Sequence, residues 1–174
     1  EIYLRAIEKA LNEGKSAIVL VPEISLTQQT VERFVSRFGD KVSVTHSRLN
    51  DGERYDQWTR ARLGEISVMI GPRSAVFTPF ENLGIIIIDE EHETTYKSDQ
   101  LSPKYDAREV AKKLSELYKC TVVLGSATPS VTSYYKAEKG EYNLCILSNR
   151  VNHSFPDIEI VDMRAELAKR NFSV

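Results

Sequence analysis

The chain has 174 residues, 41% hydrophobic and 28% charged, with a net charge of −2. That is an ordinary globular profile for one domain or slightly more, and a chain of this size buries roughly 70% of its unfolded surface without disulfide or metal staples. The composition excludes a globally basic nucleic-acid binder, leaving only a local basic face for such contacts, and no apolar run approaches the ~20 residues of a membrane span.

No signal peptide is visible. Cys120 and Cys145 lack C-x-x-C spacing and are expected to be reduced thiols of a cytoplasmic protein. No membrane partner is expected. The three histidines and two cysteines lack zinc-ligand spacing.

The pattern alternates helix and strand. Ile2, Leu4, Ile7 and Leu11 predict a helix over 2–13, stopped at Gly14. Ala17–Val21 reads as a strand ended by Pro22, and Ser25 as the cap of a helix over 26–38 closed by Gly39. Val42–Thr45 reads as a strand, and Asn50 or Asp51 opens a helix to about Leu63, closed by Gly64. On that helix Trp58 lies at core spacing with Tyr55 and Arg62 and is expected to pack inward. Ile66–Ile70 is the next strand, followed by Gly-Pro-Arg-Ser. Leu83–Asp89 follows as a buried strand, because four consecutive isoleucines fit a strand covered on both faces. Residues 93–105 lack periodicity and are expected as a loop. An amphipathic helix over 106–118, a strand at Thr121–Leu124, a helix over 130–138 with Pro129 at its first turn, and late strands at Tyr142–Leu147 and Ile158–Val161 complete the reading. Such alternation with short joints predicts a mostly parallel sheet with helices on both faces.

The chemistry gathers where apolar strands end in polar residues. Ile85–Ile88 runs into Asp-Glu-Glu-His. Open α/β sheets place ligands at such carboxyl ends, and adjacent acids suit a Mg²⁺-nucleotide site, Asp89 holding the metal and Glu90 activating a water. Acids in this place also serve simply to end a strand and cap the next element. Ser126-Ala127-Thr128-Pro129 ends the next strand, and its hydroxyls suit either a helix cap or bonds to the 89–92 segment. Arg73 and Ser74 stand at a third tip, suited to a phosphate oxygen or to an exposed turn. Pro22–Gln28 stands at a fourth, with Ser25 and Gln28 facing the same edge or starting a helix. Tyr96, Lys97, Lys104, Tyr105 and Arg108 interleave aromatics with cations, a composition that suits stacking on single-stranded bases as well as a solvated loop. His46 is read as a polar strand end and His153 as a surface residue. No G-x-x-x-x-G-K-[ST] phosphate loop is present.

Together these segments resemble superfamily 2 helicases, and within them most closely the bacterial primosomal replication-restart helicases. Val-Pro-Glu-Ile-Ser-Leu-Thr-Gln-Gln (21–29) resembles that family's motif Ia. His46-Ser47 with Glu53-Arg54 and Trp58, and Arg73-Ser74-Ala75-Val76-Phe77 with Pro79-Phe80, match two further family blocks. Asp-Glu-Glu-His resembles motif II, Gly-Ser-Ala-Thr-Pro-Ser motif III, and Tyr96-Lys97…Tyr105…Arg108 the aromatic-rich loop. Pro72 stands where the family has Thr and Asp106 where it has His, which weakens the contact assignments at those two positions.

The resemblance implies a RecA-like three-layer α/β/α fold, mostly parallel and N-terminally truncated. Residues 1–150 would be helicase lobe 1, and 151–174 would lead toward a missing second lobe. The family's Walker A sequence would lie just before Glu1, its strand would be missing from the sheet, and zinc would belong only to a missing downstream module. The implied cofactors are ATP and Mg²⁺, with Asp89 (water-mediated Mg²⁺) and Glu90 catalytic, and His92, Ser126 and Thr128 coupling. Ser25, Gln28, Arg73, Ser74, Tyr96, Lys97, Lys104, Tyr105 and Arg108 are the implied DNA contacts. The implied partners are single-stranded and forked DNA, primosome proteins and single-strand-binding proteins. The implied activity is 3′-to-5′ unwinding at stalled forks, with this chain inactive by itself. A catalytically silent single-stranded-DNA or partner-binding module is the second reading. A metal-dependent nuclease built on Asp89, Glu90 and Glu91 would need further carboxylates at other strand tips, where only Glu23 is available.

Overall fold

The computed structural model describes residues 1–99 and 102–148, with Val161, Asp162 and Arg164 beyond them. Its centre is a five-stranded parallel sheet built from β1 (Ser16–Leu20), β2 (Val42–Val44), β3 (Val68–Gly71), β4 (Leu83–Ile88) and β7 (Thr121–Leu124), in the order β2-β3-β1-β4-β7. A two-stranded antiparallel ribbon, β5 (Lys97–Ser98) with β6 (Tyr105–Asp106), lies in the segment expected to be an unstructured loop.

The isoleucine run behaves as its composition requires. Ile86 and Ile88 join one core with Ile18, Leu20 and Met69, whereas Ile85 and Ile87 join the other with Ala17, Val19 and Ile70. Successive side chains of a strand point to opposite faces, so a strand apolar at every position needs a layer on each side. Helices α1 (Ile2–Asn12) and α2 (Gln28–Phe38) supply one layer through Ile7, Ala10 and Phe34. Helices α3 (Asp51–Arg62) and α4 (Ala107–Tyr118) supply the other through Ala61, Ala107 and Ala111. Helix α5 (Val131–Glu138) buries none of its residues.

Several boundaries move for local reasons. Ser25 is not a helix cap: it ends a 3₁₀ turn, Glu23–Ser25, and Thr27 caps α2 by accepting from Thr30 N–H at 3.2 Å. Asn50 caps α3 through a reciprocal capping box with Glu53. Asp106 caps α4, and Ser130 caps α5 one residue after Pro129. Trp58 does not pack inward. It is 42% exposed, with the Arg62 guanidinium 5.2 Å from its ring centre, because α3 offers only Ala61 to the core. Tyr142–Leu147 forms no strand, and Leu144, Ile146 and Leu147 are exposed there. The strand expected over 158–161 lies outside the described residues, apart from Val161.

All five strands run the same way, so their carboxyl ends share one edge. Replacing fully buried Ile87 by Ala is expected to lower the unfolding free energy by about 2–5 kcal/mol. Urea denaturation measures it, and a loss below about 1 kcal/mol would contradict burial on both faces.

Candidate functional site

At the tip of β4, four consecutive residues turn to four different partners. Asp89 N–H continues the sheet by donating to Leu20 O at 2.9 Å. Its Oδ1 accepts from the Tyr3 hydroxyl of α1 at 2.8 Å, and Oδ2 has no protein partner among the described residues. Glu90 adopts a left-handed conformation with φ of 47°. That backbone is uncommon outside glycine, and such strain gathers at functional sites. It turns the chain sharply and leaves the Glu90 side chain 41% exposed, with Oε2 3.6 Å from His92 Nδ1. Glu91 is buried beneath the start of α5, where its carboxylate meets Ser130 and Ser133. His92 Nδ1 and Ser126 Oγ form a hydrogen bond of 2.8 Å.

The expected link between the two neighbouring tips is therefore present at His92 and Ser126. Thr128 joins it through its backbone, donating N–H to Ser126 Oγ at 3.0 Å, while its side chain is exposed. Gly125 has a steric reason to lack a side chain: a Cβ there would lie 1.7 Å from the Tyr3 hydroxyl oxygen.

Three of the candidate contacts already make bonds that hold the segment after the acids. Tyr96 is 1% exposed and cannot stack on a base. Its hydroxyl donates toward Leu20 O at 3.1 Å and Asp89 O at 2.5 Å, bracing the ends of β1 and β4. Arg108 is a staple. Its Nε and Nη2 fork onto Asp106 at 2.9 and 2.6 Å, and its Nη1 donates to Glu91 O at 2.8 Å. Burial pushes the Asp106 carboxyl up, but the Arg108 hydrogen bonds and charge outweigh it and hold it below its usual range. The same pairing raises the Arg108 guanidinium further. Arg73 Nη1 donates to Thr95 O at 3.1 Å and Lys97 O at 3.2 Å, fastening the loop to the tip of β3.

The remaining candidates lie more openly. Lys104 and Ser74 are exposed, and exposed Lys97 sits 3.6 Å from Asp99. Tyr105 meets Phe77 edge-on at 5.0 Å, with Phe77 52% exposed. Gln28 donates to Glu32 at 2.8 Å along α2, and Ser25 is part-exposed with its carbonyl accepting from Thr30 Oγ1. His46 Nδ1 is buried without a hydrogen-bond partner.

Sequence reasoning missed Tyr3 and Phe77, and gave Glu91 only a place among the acids of a nuclease reading. Phe77 was visible only as part of a motif block, and Tyr3 had no signal beyond its place in an apolar helix. Among the described residues no group of three or more His, Cys, Asp or Glu is placed to hold a metal ion. None of their helices is long and apolar enough to cross a membrane, and Cys120 and Cys145 are free thiols.

The DEAD/DEAH box helicase family matches residues 1–137. The replication restart protein PriA of Bacillus subtilis is 56% identical over 175 residues, covering all of this chain and 22% of that protein. The PriA of Synechocystis is 47% identical, again over all of this chain and 22% of the relative. The PriA of Haemophilus influenzae is 49% identical over 88% of this chain and 21% of the relative. The chain thus spans about a fifth of the length of these relatives. Among solved structures, the C-terminal domain of S. cerevisiae Dbp5 bound to Gle1 superposes with a TM-score of 0.55 at 14% identity, over 82% of this chain and 81% of that one. A second structure of the C-terminal domain of the DEAD-box protein Dbp5 gives 0.50 at 15% identity, over 78% of each chain. At such identities the likeness shows the fold, a RecA-like α/β/α layer structure.

Tyr3 and Tyr96 should make the stability of the fold pH-dependent. Burial first, then the Asp89 hydrogen bond, raises the Tyr3 phenol well above its ordinary value. Burial first, then the Asp89 charge, does the same for Tyr96. Raised folded values mean that the unfolded chain loses these protons first as pH rises. Their stabilisation is therefore complete below the ordinary tyrosine value of about 10 and is lost above it. Urea denaturation is expected to show stability falling as pH passes about 10, with the fall reduced in Tyr3→Phe and Tyr96→Phe. An identical fall in both variants would contradict the assignment. Tyr96→Phe is also expected to cost about 1–3 kcal/mol at neutral pH by leaving Asp89 O without its donor, and no loss there would contradict the brace.

Proposed function

The chain belongs to the DEAD/DEAH box helicase family, and from that premise we propose that it forms part of the first motor lobe of an ATP-driven DNA helicase that restarts replication at stalled forks. The observation that carries this reading is the tip of β4, where Asp89 and Glu90 leave the sheet beside a His92–Ser126 bond of 2.8 Å.

One free carboxylate oxygen fits a hard, oxygen-seeking ion that keeps most of its own waters. Tyr3 occupies only Oδ1 of Asp89, so Oδ2 is available to a water of a Mg²⁺ shell, and Mg²⁺ keeps several waters. Bound Mg²⁺·ATP would supply the transferable phosphoryl group and the charge that polarises it. With it bound, Asp89 would hold a water of the Mg²⁺ shell and Glu90 would orient the attacking water, while Tyr3 fixes the rotamer of Asp89. The work is positioning and electrostatics. His92, with Ser126 and the backbone of Thr128, relays the nucleotide state to the neighbouring strand tip.

The DNA face follows from what remains unspent. Lys97, Lys104, Ser74 and Tyr105 are the contacts the geometry supports best, with Phe77 beside Tyr105 as an added aromatic. Base stacking is tolerant of sequence, and cations pair with phosphates. Ser25 and Gln28 stay as candidates on the motif Ia side, whereas Arg73 acts through the loop it fastens. The direction of stepping, 3′ to 5′, and engagement with primosome and single-strand-binding proteins belong to the same proposal for the intact protein. Zinc belongs to it only outside these residues.

This chain carries no G-x-x-x-x-G-K-[ST] sequence, which favours a silent, DNA-binding role for these residues by themselves. Calorimetry is expected to detect no stoichiometric ATP binding to the chain, and stoichiometric binding would contradict this. Fluorescence anisotropy is expected to detect salt-sensitive binding of a labelled single-stranded oligonucleotide. Lys104→Ala should weaken it and lower the salt slope by about one, and an unchanged slope would remove Lys104 from the interface.

A further inference from the structure

We infer that Glu91 is a positioning residue that holds Ser126 within reach of His92. This rests on the coupling role proposed for that pair.

The geometry is specific. Ser126 lies in the short turn between the end of β7 and the start of α5. Glu91 grips that turn at both ends. Its backbone N–H donates to Gly125 O at 3.0 Å, and its Oε1 accepts from Ser130 N–H at 2.6 Å. Its Oε2 accepts from the Ser133 hydroxyl at 2.9 Å and lies 3.3 Å from the Ser130 hydroxyl. A single residue of the β4 tip therefore fixes both ends of the stretch that carries Ser126.

Nothing else described holds the start of α5 so firmly. That helix buries none of its residues, and none of its side chains enters either apolar core. Glu91 is itself held, because Arg108 Nη1 donates to its carbonyl at 2.8 Å. At 2% exposure a carboxylate is costly to keep unless it is hydrogen-bonded. Its bonds to Ser130 N–H and the Ser133 hydroxyl offset that cost, and the same bonds fix the turn. A helix N-terminus, with its unpaired N–H groups and positive dipole end, is where an anion can do this. The His92–Ser126 bond spans two strand tips that are otherwise joined by backbone bonds of the sheet, so its length depends on where the 126–129 turn sits.

Two readouts separate positioning from mere structure. In the chain, NMR of the His92 ring in Ser126→Ala defines the signal of an unpaired Nδ1. Glu91→Gln and Ser133→Ala should each move the ring signal toward that value while the circular dichroism spectrum is kept. Ser133→Ala releases the clamp from the far side, so it carries the test if Glu91→Gln does not fold. In the intact open reading frame that carries this sequence, Glu91→Gln should lower kcat of DNA-stimulated ATP hydrolysis with KM for ATP unchanged. A His92 signal at its wild-type position in the folded variants overturns the inference, and so does an unchanged kcat. Absence of DNA-stimulated hydrolysis in the wild type would instead defeat the helicase reading, with the NMR result still standing for or against the clamp.

Discussion

Burial of the β4 strand on both faces is the constraint from which the rest follows. Four isoleucines leave that strand no polar position before Asp89, so every polar function must be delivered at its end. The parallel sheet then collects the other strand ends at the same edge. A site assembled this way needs no side chain to reach far. Tyr3, Ser126 and Ser130 meet the acids because α1, β7 and α5 already start or stop there. The apolar strand also sets the register of its neighbours, with Ile88 opposite Leu20 on one side and Leu124 on the other. A slip of one residue would exchange the two cores and withdraw the acids from the edge.

The segment that follows is a frame more than a free loop. Tyr96 fastens it to two strand ends, Arg73 to a third, and Arg108 to the chain just after Glu90. Tyr96 and Arg108, which look like nucleic-acid contacts by type, are taken up in holding the frame, and Arg73 spends one guanidinium nitrogen on it. Two of the outward residues are chain neighbours of the fastened ones. Lys97 follows directly on Tyr96, and Tyr105 precedes the Asp106–Arg108 fork.

Strand tips were legible in the sequence because a buried strand that stops at polar residues leaves an abrupt change of hydropathy. Asp89, Glu90, His92 and Ser126 were placed at those tips that way, and the layered fold followed from the same alternation. Residue type misled wherever a side chain's donors were already spent. Tyr96 bonds to Leu20 across 76 residues of sequence, and no local pattern carries that information. Tyr3 reaches Asp89 across 86. Glu91 left one trace, a third acid where the chemistry needs two, but the serines that claim it belong to another helix. The strand expected over 142–147 failed because β-forming residues make a strand only against a partner. Trp58 failed because α3 touches the sheet through little more than Ala61.

The central claim is that the end of β4 is cross-linked to its neighbours as one unit. Native-state hydrogen exchange at the amides of Asp89, Glu91 and Gly125 tests it most directly, since these donate to Leu20, Gly125 and Ile88. The account predicts that all three exchange only with global unfolding, at one shared free energy that falls with denaturant. Fast, denaturant-insensitive exchange at Glu91 and Gly125, with Asp89 still protected, would mean that the tips open separately and would contradict it.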